Sequence, residues 1–281
     1  MKYAYILGLL FFFGTKIYGA ENYFFTPCER LFPFRWAKSE IERFDYLKQR
    51  ISDKPDFSQI AGIHGASLET LVKLIETGVI GRDAVASETT NLIFFYPTDH
   101  EFNSIKAPDG DAWGNETSFT REEALDAASG YSRLSAVQHF FLSELHLRPD
   151  VPELYRRSAA LVGLLSTPQI LDRAMKNDIS VESGVDYKTF NEHLQFFEGI
   201  GLSRNRLIST LAQSQRKRKG VIIGFSEEIY RLKVSWGGSP INDPEGLRLH
   251  IPPEGLSIKA VKSITLLGDE EKNYFETRPL E

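Results

Sequence analysis

The hydrophobic period of the chain changes twice along its length, and that change limits the folds open to it. Near the start, Ile60-Ala-Gly-Ile-His-Gly-Ala-Ser67 is a short apolar run, and Leu92-Ile-Phe-Phe-Tyr96 is a strand-type run closed by Pro97. From about Thr120 to Gln215 the spacing is helical. Arg121-Glu-Glu-Ala follows a capping-type Thr120, and Ala136, Val137, Phe140 and Phe141 mark one apolar face. Thr167-Pro168 and Ser203 read as further helix starts. Beyond Lys219 the strand pattern returns in Val221–Phe225, Tyr230–Trp236 and Leu247–Ile251. Strand-rich ends around a helical middle predict an α+β fold, read as one domain over 21–281 with a helical insertion at about 121–215.

Local signals refine this outline. An amphipathic stretch from Ser39 to Ile51 predicts a helix that packs on a core. After the first apolar run, Ser67 stands at a cap position, and Leu68, Leu71, Val72 and Ile75 repeat at helical spacing. Glu69 points toward Lys73, and Gly78 supplies the stop, so the segment reads as strand, His-Gly turn, helix. Near the end, Leu247, Leu249 and Ile251 share one strand face while Arg248 and His250 share the other. Gly237-Gly238-Ser239-Pro240 reads as a turn.

Residues 1–20 have the order of a cleavable secretory signal: Lys2, then the apolar run Tyr5–Phe13, then small residues at Gly14, Gly19 and Ala20. That run falls well short of the roughly twenty residues a spanning helix needs, so no permanent membrane anchor is expected. A secreted or periplasmic location follows. The single cysteine, Cys28, excludes an internal disulfide, and stability must come from packing. A net charge of −5 argues against dedicated nucleic-acid binding. The one dense basic run, Arg216-Lys217-Arg218-Lys219, reads as a solvated loop. His139 and His146 fall on one predicted helix, two turns apart, too far for a shared metal ion.

Three runs carry a family resemblance. Gly62-Ile-His-Gly-Ala-Ser-Leu-Glu69, with its helix ending at Gly78, resembles the first NAD-binding segment of ADP-ribosyltransferase-like domains of the histidine class. That class includes the diphtheria-toxin and poly-ADP-ribose polymerase branch and the NAD-dependent RNA 2'-phosphotransferases. Ser118-Phe-Thr-Arg-Glu-Glu-Ala124, continuing to Tyr131, looks like the family's strand leading into a tyrosine-bearing helix. Glu245-Gly-Leu-Arg-Leu-His-Ile-Pro-Pro-Glu254 is similar to its closing element, where an acidic residue opens a strand that runs into an Ile-Pro turn.

The resemblance implies a split two-sheet ADP-ribosyltransferase-like core and NAD as co-substrate, with no metal. His64 and Gly65 would hold the dinucleotide, and Tyr131 would pack on the nicotinamide ring. Glu245 would stabilise the charge that develops as the glycosidic bond breaks. Glu227, Glu228 and Glu254 are other acidic candidates for that role. Ala66 departs from the family, which commonly has threonine at that position. NAD is cytosolic, so an exported transferase acts inside another cell, on a macromolecular target, as toxins and effectors do. The competing expectation is an exported non-catalytic binding or scaffold protein. On that reading His64 sits in a turn, Tyr131 is a core aromatic and Glu245 is part of a turn.

Overall fold

The computed structural model describes residues 23–24, 36–80, 92–97, 121–166, 168–176, 187–232, 234–237, 246–250, 252 and 254–276. The predicted signal, Cys28, the turn residues 238–240 and Glu245 lie outside the described residues. The protein is an α+β fold, as the changing period predicts. Helices α1 (Lys38–Lys48), α2 (Leu68–Thr77), α3 (Arg121–Glu144), α4 (Pro152–Leu164), α5 (Pro168–Met175), α6 (Tyr187–Gly199), α7 (Arg204–Lys217) and α8 (Asp269–Glu276) are described. So are strands β1 (Gly62–Ala66), β2 (Val79–Ile80), β3 (Leu92–Pro97), β4 (Val221–Phe225), β5 (Val234–Gly237), β6 (Gly246–His250), β7 (Leu256–Ser257) and β8 (Val261–Leu266).

Six strands form one sheet in the order β5-β6-β3-β1-β4-β8, every neighbouring pair antiparallel, and β2 pairs with β7 apart from it. Each element answers to its local chemistry. Gly78 adopts the left-handed conformation (φ 78°) that ends α2, and Arg43 of α1 donates to the carbonyls of Ile75 and Glu76 in the last turn of α2. Ser203 caps α7 by accepting from the Arg206 amide. Among the described residues, no helix is long and apolar enough to cross a membrane.

Apolar side chains gather in separate clusters. One face of the sheet packs α1, α2 and α8 around Phe44, Leu47, Leu71, Ile223, Val261 and Phe275. The other face carries the first half of α3, where Ala124 and Ala128 lie on Ile60, Ile63 and Ile222. The second half of α3 joins α4 to α7 in a helical core of its own, around Phe141, Leu161, Phe190, Phe197 and Leu211. Tyr23 reaches this core edge-on to Phe196 (5.7 Å between ring centroids), and Phe24 bridges to Leu147.

Several local expectations are corrected. His64 and Gly65 are not a turn but residues within β1. The strand expected from Tyr230 begins later, because Ser226 accepts from the Glu228 amide and turns 227–231 into a 3-10 helix ahead of β5. His146 is not on the helix of His139. It follows the end of α3 in a left-handed conformation (φ 60°).

The basic run is not wholly solvated. Arg216 and Lys217 are exposed in the last turn of α7, but Arg218 is buried. Its Nε donates to Glu271 Oε1 (2.9 Å), and its Nη2 lies 3.1 Å from a Glu69 oxygen. Glu69 is therefore drawn across to Arg218. The fully buried Glu271 Oε1 also accepts from the amides of Lys219 (3.4 Å) and Gly220 (3.1 Å). One carboxylate thus ties α8 to the segment entering β4 and, through Arg218, to the first turn of α2.

Removing one partner of such a pair strands a buried charge, whereas removing both does not. Glu271→Leu and Arg218→Met are each expected to lower unfolding free energy by about 3 kcal/mol or more. The double variant should cost clearly less than the sum, as read from urea denaturation of all four proteins.

Candidate functional site

The alternation of hydrogen bonds along β4 determines what β1 exposes. The Leu267 amide donates to the Gly220 carbonyl (3.1 Å), so Gly220, Ile222 and Gly224 turn their backbone groups toward β8. Val221, Ile223 and Phe225 consequently turn theirs toward β1. His64, paired with Ile223, exchanges its N–H and C=O with β4, and Gly65 turns both of its groups the other way.

On that other side β3 pairs with β1 only through Gly62–Pro97 and Ile63–Tyr96. It then departs, and its residues Leu92–Phe95 pair with His250–Leu247 of β6. The ladder between β1 and β3 is thus notched beside Gly65, which is itself buried. The Gly65 N–H and C=O face into the notch side by side, a donor and an acceptor with no backbone partner among the described residues.

Gly65 is required by what lies over it. A Cβ there would collide with the Ala128 carbonyl oxygen and sit 2.8 Å from the Ser132 nitrogen. Helix α3 therefore rests directly on β1. Ala128 faces the sheet, and Ser132 leans toward β4, where its Oγ donates to the Lys219 carbonyl (3.2 Å). Successive residues of a helix are turned by roughly 100°, so Tyr131 falls on the opposite flank of α3, on the side where β3 leaves β1. It is half-buried against the cluster of Ile63 and Ala128.

The expected residues are brought together in part. His64 and Gly65 are adjacent, and Tyr131 lies on the helix that covers them. The His64 side chain, however, points to the opposite face from α3. It shares that face with Ala66, which packs among the residues of α1 and α2, whereas Ile63 packs beneath α3. Glu245 lies outside the described residues, but its covalent neighbour Gly246 is the first residue of β6, paired with Gly237. Leu247 pairs with Phe95, one residue from the Tyr96 that pairs with Ile63. That end of β6 is thus two strand spacings, about 10 Å, from β1.

Glu227 and Glu228 are exposed just beyond Phe225, which pairs with Gly62 at the far end of β1 from Ala66. Glu254 is exposed in the turn before β7. Among the described residues, no group of His, Cys, Asp and Glu could hold a metal ion.

The sequence pointed to His64 and Gly65 but gave no sign of the notch, because main-chain donors and acceptors leave no residue signature. It also gave no sign of an open groove on α3, lined in part by Gly130, Arg133 and Leu134. A glycine amid a helical pattern was the one available signal for that groove. Compared with family models, curated proteins and solved structures, the chain shows no match.

The notch makes a direct prediction for amide exchange. The His64 N–H, bonded to β4, is expected to exchange with solvent deuterium at least about 100-fold more slowly than the Gly65 N–H. Equal protection of the two amides in an NMR exchange series would show that β3 closes on Gly65.

Proposed function

We propose that the protein is an exported NAD-using transferase of the ADP-ribosyltransferase-like kind, acting on a macromolecule inside another cell. The observation that carries this reading is the backbone edge of Gly65, left without a strand partner among the described residues. A primary carboxamide presents one of its two N–H donors beside its C=O acceptor, and a C=O and N–H on one strand edge match that pair with two hydrogen bonds. Nicotinamide carries that carboxamide on a flat ring. The flank of α3 that bears Tyr131 overhangs the notch, which suits stacking of an aromatic side chain on that ring.

The remaining roles follow from the chemistry of cleavage. As the bond between ribose C1' and the nicotinamide nitrogen breaks, its electron pair goes to the ring, which becomes neutral, and positive charge develops on the ribose. A carboxylate held near C1' stabilises that charge, and Glu245 is the residue proposed for it. An acceptor on the target, or water in its absence, then bonds to C1' and loses a proton. His64 is proposed to hydrogen-bond the ribose. Its imidazole is on the face away from α3, so that contact would be made from the other side of β1.

The opposed directions of His64 and Tyr131 favour a second reading, an exported binding protein that holds NAD or another carboxamide without cleaving it. Purified protein incubated with millimolar NAD separates the two. Release of nicotinamide, measured by chromatography, is expected, with Glu245→Gln reducing it by about 100-fold or more and Tyr131→Ala weakening NAD binding. Binding without release would support the non-catalytic reading. Calorimetry showing no binding at millimolar NAD would reject both.

A further inference from the structure

The groove on α3 is separate from the notch and lies on the sheet-distal side of the helix. It has a cavity volume of about 270 Å³, with Gly130, Arg133, Leu134 and Val137 of α3 along one side. Val162 of α4 lines it too, together with Ser166 and the Gln215 side chain, which is anchored by donating to the Leu165 carbonyl (2.5 Å).

Two observations set it apart from an ordinary crevice. Gly130 stands inside a long helix, where glycine costs about 1 kcal/mol relative to alanine. Close packing does not demand it, since a Cβ at this position would meet nothing within 4 Å. What the missing side chain leaves is space. The second observation is chemical. Arg133 and the Ser166 hydroxyl, both lining the groove, have no partner among the described residues. Leu134, 38 % exposed and the largest exposed apolar side chain among the described residues, adds to the apolar wall formed by Val137 and Val162.

An unpaired guanidinium and a hydroxyl beside an apolar wall suit a molecule that is anionic at one end and hydrocarbon along its length. The geometry points to a binding site for a small amphipathic carboxylate, a medium-chain acyl acid with its carboxylate on Arg133 and Ser166 and its chain along Leu134, Val137 and Val162. At about 30 Å³ per water-sized group, the volume accommodates about nine such groups, the size of a medium-length acid. Arginine meets carboxylate through paired N–H donors, which gives the anionic end its selectivity. This site does not depend on the proposed NAD chemistry.

Octanoate and octan-1-ol are the probes, titrated into the purified protein by calorimetry or by NMR. Octanoate is expected to bind with Kd on the order of 0.1–1 mM, and octan-1-ol about tenfold more weakly or worse. Arg133→Gln should weaken octanoate about tenfold and leave the alcohol unchanged. Gly130→Phe should fill the groove and abolish octanoate binding while helical circular dichroism is retained, since the new ring enters open space. His64→Ala should bind octanoate as the parent protein does. No octanoate binding up to about 10 mM, equal affinity for the alcohol, or undiminished binding by a folded Gly130→Phe protein would each overturn the assignment.

Discussion

The contact on which the architecture turns is the seating of α3 on β1 and β4 through two residues that lack side chains. At Gly65 the helix backbone occupies the volume that a Cβ would need. At Gly220, with φ +85°, a Cβ would collide with the Ser132 carbonyl and lie 2.8 Å from the Ala66 carbonyl. Close approach of helix to strand places the small residues Ala124, Ala128 and Ser132 against the sheet and leaves larger ones to the flanks. Tyr131 is on a flank for that reason, and Gly130 is on the back. The notch and the groove are thus two consequences of how one helix is rotated over one strand.

The buried charges hold that seat from the other side. Glu271, on the last described helix, gathers the Arg218 guanidinium and the amides of Lys219 and Gly220, and so fixes the segment that runs beneath Ser132. Its second oxygen, Oε2, is buried with no hydrogen-bond partner, so this anchor concentrates its bonds on a single atom. Arg218 extends the connection to Glu69 in the first turn of α2, immediately after β1. Burying ions costs desolvation, and direct hydrogen bonds from a guanidinium and two amides offset it. What is gained is position. Three segments far apart in sequence meet at the end of β1 where α2 begins.

Period was enough to read most helices and the strands β1, β3, β4 and β6 from the sequence, because burial of one face imposes a repeat that single residues report. The caps at Ser203 and Gly78 were legible for the same reason, since each acts within a few residues. Ser67 shows the limit. It stands at the cap position of α2, yet its hydroxyl is buried without capping or any other partner. The pairing of Arg218 with Glu271 spans 53 residues, and nothing in a run of four basic residues says which one finds a buried carboxylate. The candidate site was legible only as the His64-Gly65 pair. Whether β3 stays with β1 or leaves it after two residues depends on non-local pairing, and the opposite facing of His64 and Tyr131 depends on which face of β1 the distant α3 covers.

An unpaired strand edge normally invites another strand, and proteins protect against that. Here the edge is internal. β3 closes the notch at Ile63, where it pairs through Tyr96, and α3 lies over the sheet at Gly65. An incoming strand would need several consecutive free residues on a straight edge, and β1 ends at Ala66. Few backbone groups are left open, Gly65 supplies a facing pair of them, and their neighbours are already bonded to β4. A single facing pair is too short an edge to hold an added strand, so the early departure of β3 does not create an aggregation edge of the usual kind.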